Sequence, residues 1–189
     1  MVGKLDVIIV VDVESTSWEG SPPRGQESEI IEVGIATLDV TTLKRLEKES
    51  LLVRPVRSTV SEFATKLTTL TQEQVDAGLS FREACSLIQT KYRARDRLWA
   101  SWGDYDRRMF ERQCQSTGIP YPFGRGHLNV KTLFAITRNL PHELGMADAL
   151  ALLKLPLEGT HHRGGDDAWN ITLILAGILQ RTRENEIEG

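Results

Sequence analysis

At 189 residues, 40% of them hydrophobic, the chain is long enough to bury a substantial core and fits one α/β domain. A formal net charge of −3 excludes a protein that coats nucleic acid by bulk electrostatics, while leaving room for a local basic groove. Cys85 and Cys114 lack metal-ligand spacing, which excludes a disulfide framework and a zinc site, and no stretch reaches the roughly 18 apolar residues of a membrane helix. A reducing, cytoplasmic setting and no membrane partner are therefore expected, with one domain over residues 1–182 and a polar tail over 183–189.

The first element is an unbroken β-branched run, Val7-Ile8-Ile9-Val10-Val11, ending in Asp12-Val13-Glu14. Such a run reads as a strand buried on both faces, and acids two apart point to the same side. Close carboxylates repel unless a cation, a basic side chain or a proton lies between them. A Pro- and Gly-rich loop follows over 17–26, then strands over 29–40 and 45–53, joined as an antiparallel meander. Thr71 with Gln74 reads as a capping box opening a short helix that stops at Gly78, and 80–95 carries the stripe of an amphipathic helix. A short strand over 98–103 leads into a helix from Asp104 to Gln115. Residues 127–134 read as a strand running into a helix, 146–155 as a compact helix, and 166–180 as a strongly apolar last helix. Strands first, then helices alternating with strands, give an α/β fold with a mixed sheet flanked by helices.

Acids stand at the ends of apolar elements in three separate segments: Asp12 and Glu14, Asp104, and His161-His162-Arg163-Gly164-Gly165-Asp166-Asp167. Taken singly, Asp104 serves as a helix cap and Asp166 and Asp167 as partners of a helix dipole. Together they are what a buried site of several carboxylates requires. Asp12, Glu14, Asp104 and Asp167 offer hard oxygen donors suited to Mg2+ or Mn2+, and two such ions assist in-line displacement at phosphorus. His162, with an ordinary pKa of roughly 6.5, suits a general base on a glycine-containing loop.

The order Asp12-x-Glu14, Asp104, then His162 with Asp167 five positions later resembles the DEDDh branch of the DnaQ-like 3′-to-5′ exonucleases. Within that branch the chain looks most like the histone-mRNA exonuclease and KapD-type group. The stretches that carry this likeness are Leu67-Thr68-Thr69-Leu70-Thr71-Gln72-Glu73-Gln74-Val75, Ser101-Trp102-Gly103-Asp104-Tyr105-Asp106 and Asn129-Val130-Lys131-Thr132-Leu133-Phe134. The resemblance implies an RNase H-like fold with a five-stranded mixed sheet, two Mg2+ or Mn2+ ions, and release of nucleoside monophosphates from the 3′ end of single-stranded RNA or DNA, RNA being favoured. It implies metal binding by Asp12, Glu14, Asp104 and Asp167 and water activation by His162. His161 and Asp166 are left as loop and helix-start residues. Substrate contacts are implied for Ser15, Thr16, Leu67, Leu70, Trp102, Asn129 and Lys131. Trp18 is a candidate base-stacking residue, and Arg24, Arg125, Lys131 and Arg163 are candidate phosphate contacts. One departure is Thr69-Leu70, where relatives often carry Gly-Ile. A proofreading-type DNA exonuclease and a non-catalytic nucleic-acid-binding module are the alternatives.

Overall fold

A computed structural model of the chain describes residues 4–185. The opening apolar run forms β1 (Lys4–Ser15), which pairs antiparallel with β2 (Ile30–Asp39), and β2 pairs antiparallel with β3 (Arg45–Leu52), as the meander requires. On its other side β1 pairs in parallel with β4 (Arg97–Ser101), which pairs in parallel with β5 (His127–Asn129). The order β3-β2-β1-β4-β5 puts β1 in the middle of the five-stranded sheet.

Helices cover both faces: α1 (Glu62–Thr68), α2 (Gln72–Asp76), α3 (Phe81–Lys91), α4 (Tyr105–Thr117), α5 (Val130–Thr137), α6 (Met146–Leu153) and α7 (Gly164–Asn185). Thr71 and Ser80 each close a capping box at the start of α2 and α3, satisfying amide donors that helix starts leave free. Helix α1 escapes a periodicity reading because only Ala64 and Thr68 of its seven residues are buried. Helix α3 ends at Lys91, short of residue 95, because Arg93 turns left-handed with φ 53° and so cannot continue a right-handed helix. Helix α7 starts at Gly164 rather than 166 and continues through Asn185, so residues 183–185 of the expected tail are helical. The rest of that tail, 186–189, lies outside the described residues. No described helix is long and apolar enough to cross a membrane.

The alternation of β1 divides the core. Ile9, Val11 and Val13 join Phe81, Ile88, Trp99, Met109 and Phe110 on the α3–α4 side, while Ile8 and Val10 join Phe134, Ile171, Ile174 and Leu175 on the α5–α7 side. Each such side chain contributes roughly 1.5–3 kcal/mol by burial, so β1 is held rigidly from both faces. Asp12 and Glu14 lie on the α7 side, opposite Gly34 and Glu32 of β2. There the sheet and the start of α7 touch backbone to backbone. A Cβ at Gly34 would lie 1.8 Å from the carbonyl carbon of Gly164, and one at Gly164 would lie 3.0 Å from the Asp12 carbonyl oxygen. Two missing side chains thus bring the head of α7 against the acid-bearing end of β1.

Gly34→Ala should force that contact apart and destabilise the chain by about 3 kcal/mol, the upper range for overpacking. Gly20→Ala, whose added methyl would have nothing within 4 Å, should stay within about 0.5 kcal/mol of the parent in urea denaturation.

Candidate active site

Asp12 and Glu14 meet Asp167, from the first turn of α7, with one carboxylate oxygen of each within 4.8 Å of the others. Asp106 adds a fourth acid from α4. It is 3% exposed, and its Oδ1 accepts a hydrogen bond from the Val13 amide at 2.9 Å. Burial and mutual repulsion favour the neutral acids. Asp12 titrates well above the ordinary carboxylate range, through burial first and then through the charges of Asp106, Glu14, Asp167 and Glu32. Glu14 is pushed up to about 9 by burial, Asp167, Glu32 and Asp106, with Arg163 opposing. Asp106 rises to about 6 through burial, against the hydrogen bond from Val13. Burial also raises Asp167, opposed by its hydrogen bond from His161. Hard oxygen donors this close suit a divalent cation, and the cluster can hold one.

Asp104 does not join them. It occupies the residue before α4 without forming a cap hydrogen bond, and its carboxylate faces Arg107 at 3.3 Å and His127 at 3.8 Å, outside the cleft. The acid that turns inward is Asp106, because positions two apart along a helix differ by about 200° in direction. A signal for this was present: Asp106, Met109, Phe110, Gln113 and Cys114 are the buried residues of α4, spaced as one helix face.

The loop before α7 carries both histidines. His162 takes a left-handed φ of 63°, and its amide donates to the Asp167 carboxylate at 2.9 Å. His161, an ordinary loop residue by sequence, lies in the cleft: its Nδ1 is 3.0 Å from Asp167 and its ring stacks on His162 with centroids 3.9 Å apart. Burial and the charge of His161 lower the His162 pKa, with Asp167 opposing, which keeps the ring neutral and able to accept a proton. The loop is anchored by Glu32, which is fully buried. Its carboxylate accepts from the Gly164 amide at 2.9 Å, from Arg163 at 3.0 and 3.2 Å, and from the Ser50 hydroxyl. Arg163 is thereby committed to Glu32 rather than free for phosphate.

The four acids of the cluster and both histidines line a cleft of about 400 Å3, with Ser15, Leu67, Trp102 and Tyr105 among its walls. Ser15 hydrogen-bonds the Tyr105 hydroxyl at 2.8 Å, and the Trp102 indole donates to the Leu144 carbonyl at 3.1 Å. Four residues expected to touch substrate lie elsewhere. Leu70 is fully buried in the core beside Ile31 and Val75. Thr16 is also fully buried, and its hydroxyl ties the backbone of Glu27 and Glu29. Asn129 caps α5 by accepting from the Thr132 amide, and Lys131 pairs with Glu143 at 3.7 Å; neither lines the cleft.

A central strand ending in paired acids, joined by acids from two helices and a histidine loop at the head of the last helix, is the site of an RNase H-like nuclease of the DEDDh type. The exonuclease family model, RNase_T, matches residues 9–175, and the chain belongs to that family. The human 3′-5′ exoribonuclease 1 is 29% identical over 187 residues, covering 93% of this chain and 53% of that protein. The probable 3′-5′ exonuclease KapD of Bacillus subtilis (strain 168) is 26% identical over 170 residues, covering 85% and 78%. In three dimensions the chain is similar to the nuclease domain of 3′hExo, a DEDDh family member bound to rAMP, with a TM-score of 0.85, 27% identity and coverage of 93% and 92%. The chain spans about half the length of the human and rat exoribonucleases it matches.

A raised folded-state pKa such as that of Glu14 stabilises fully below its ordinary value of 4.5, and that contribution is lost as pH rises toward about 9. The cation-free chain should therefore weaken on going from about pH 5.5 to about pH 8, and Mn2+ should raise the melting temperature more at the higher pH. In scanning fluorimetry Asp106→Asn should shrink the Mn2+-induced shift, whereas Asp104→Asn should leave it unchanged.

Proposed function

We propose that the chain is a metal-dependent 3′-to-5′ exonuclease that removes nucleoside 5′-monophosphates from the free 3′ end of a single strand, RNA in preference to DNA. The observation that carries this reading is the meeting of Asp12, Glu14, Asp106, Asp167 and His162 around one open cleft. The preference for RNA is supported by the names of the curated relatives, several of them exoribonucleases. The exonuclease domain takes in the described residues through the end of α7 at Asn185, and the free, buried thiols of Cys85 and Cys114 suit a reducing, cytoplasmic setting.

Asp12, Glu14 and Asp167 would hold the divalent cations, two of Mg2+ or Mn2+, with Asp106 taking the place expected for Asp104. When bound, such ions stabilise the charge that builds on the phosphoryl oxygens and make water more acidic. The chain's own residues do the rest. Leu67, Trp102 and Tyr105 wall the terminal nucleoside, and Ser15 offers a hydroxyl beside it. A neutral His162 ring takes a proton from the water that attacks phosphorus. As the new bond from the water oxygen to phosphorus forms, the bond to the preceding 3′ oxygen breaks, and that oxygen takes a proton from solvent to give a new 3′ hydroxyl and a free 5′-monophosphate. Asp167 fixes the His162 backbone, and the Glu32 anchor keeps that loop at a constant distance from the acids.

Single-stranded RNA and DNA labelled at the 5′ end should give ladders that shorten from the 3′ end in Mg2+ or Mn2+, faster for RNA. Chelator should abolish them and a 3′ phosphate should block them; equal rates on the two polymers would overturn the RNA preference, and no ladder on either would overturn the activity. Asp12→Asn should lose nearly all turnover. His162→Ala should keep the Mn2+-induced thermal shift yet lose about 10²- to 10⁴-fold in kcat, the usual contribution of a positioned base.

Relaxing the anchor should act on rate rather than binding. Glu32→Gln is expected to lower kcat by up to about 10²-fold, the scale of a small misplacement of a reacting group, with KM nearly constant. Arg163→Ala should do the same, and the double variant should fall no further if the two residues act as one unit, measured by steady-state kinetics well below the melting temperature.

A further inference from the structure

Beside the catalytic cleft, and sharing no lining residue with it, a concavity of about 710 Å3 runs between α4, the start of β4 and the 121–127 segment. Aromatic residues underlie it, with Trp99 and Phe123 buried and Tyr121 and His127 partly exposed. Trp99 stacks on Phe123 with centroids 4.2 Å apart, and Tyr121 and His127 pack against the pair at 5.6 and 4.3 Å. The walls carry Arg95, Arg97, Arg107 and Arg125 against a single carboxylate, Glu111, in a chain whose formal charge is −3.

The arginines are unequally occupied. Arg97 pairs with Asp6 at 3.0 Å, and Arg107 with Asp104 at 3.3 Å, yet the Arg107 Nε is buried without a hydrogen-bond partner. Among the described residues Arg95 donates only to the Tyr121 carbonyl, at 3.5 Å, and Arg125 has no acidic partner. Arg125 stands between Gly124 and Gly126. A Cβ at Gly124 would come within 2.7 Å of the Arg95 carbonyl oxygen, so the close approach of the two arginine-bearing segments depends on that glycine. Uncommitted guanidinium groups along a concavity with the partly exposed Tyr121 ring at its side match a phosphodiester backbone with a base against that ring.

Helix α4 joins this trough to the cleft. Tyr105 and Asp106 line the cleft, and the next residue, Arg107, lines the trough. A strand with its 3′ end among the acids that crosses the start of α4 meets Arg107 first, then Arg125 and Arg95.

We propose that the trough is a second nucleic-acid contact, holding the backbone of the substrate strand several nucleotides 5′ of the residue being removed. The inference rests on the exonuclease reading above, and it makes activity depend on substrate length. Arg95 and Arg125 are exposed and lie outside the cleft, so the double variant R95E/R125E tests it. On a single strand of about 20 nucleotides its kcat/KM should fall about tenfold, while that on a trinucleotide holds. Binding of a fluorescent strand of the same length to the full chain carrying Asp12→Asn should weaken when R95E/R125E is added. The slope of log Kd against log salt should also flatten by about 0.7 for each phosphate that is no longer neutralised. Equal loss on long and short strands, or no loss on either, overturns the proposal. Should the parent chain cleave neither strand, the exonuclease reading fails, and the anisotropy measurement still judges the trough: unchanged binding in R95E/R125E overturns it. R95A/R125A gives the same comparison if charge reversal impairs folding.

Discussion

Repulsion among the carboxylates at the end of β1 is the constraint on which the rest of the structure depends. Like charges about 4 Å apart in a partly buried setting repel by roughly 4 kcal/mol, more than a fully buried Ile or Val returns. Asp12, Glu14, Asp106 and Asp167 accordingly sit at the edge of an otherwise apolar core, where strong packing on both faces of β1 prevents the strand end from relaxing away. Without a cation the acids answer by holding protons, which is why Glu14 titrates near 9. The same poise makes the cluster receptive to a divalent ion.

Three elements must converge for that cluster to exist, and each is held by a different device. The strand is fixed by its β-branched run. Helix α7 is brought in by the bare contact of Gly34 with Gly164, which lets backbone touch backbone. Helix α4 is tied through Asp106 to the Val13 amide, so one carboxylate is both a member of the cluster and a clasp on the strand. Glu32 supplies a fourth hold, on the loop that bears the histidines, by receiving the Gly164 amide and the Arg163 guanidinium in one buried carboxylate. The electrostatics are divided in space as well: acids gather in the cleft, whereas the uncommitted arginines border the neighbouring trough, so a polyanion meets attraction on one side of α4 and needs cations on the other.

Much of the architecture is legible in the sequence because its causes are local. The apolar run of β1, the meander and the capping box at Thr71 express short-range preferences, and these elements form where their patterns lie. The site is legible in part. Asp12, Glu14, His162 and Asp167 meet as their order suggests, but His161, a bystander by sequence, stacks in the cleft, while Leu70 and Thr16, expected at the substrate, are core. Adjacent histidines in a loop carry no periodic signal, so only the left-handed turn at His162 decides where their rings go.

The amino-acid sequence by itself determined most of the elements and the central acid-bearing strand, because those follow from residue type and spacing along one segment. Tertiary structure alone decided which side chains share a point in space. Asp104 and Asp106 differ by little in sequence, yet the phase of α4 against β1 turns one to solvent and Arg107 and the other to Val13 and the acids. Glu32 and the arginine trough were decided in the same way, since their partners lie far along the chain and meet only when the sheet and helices pack.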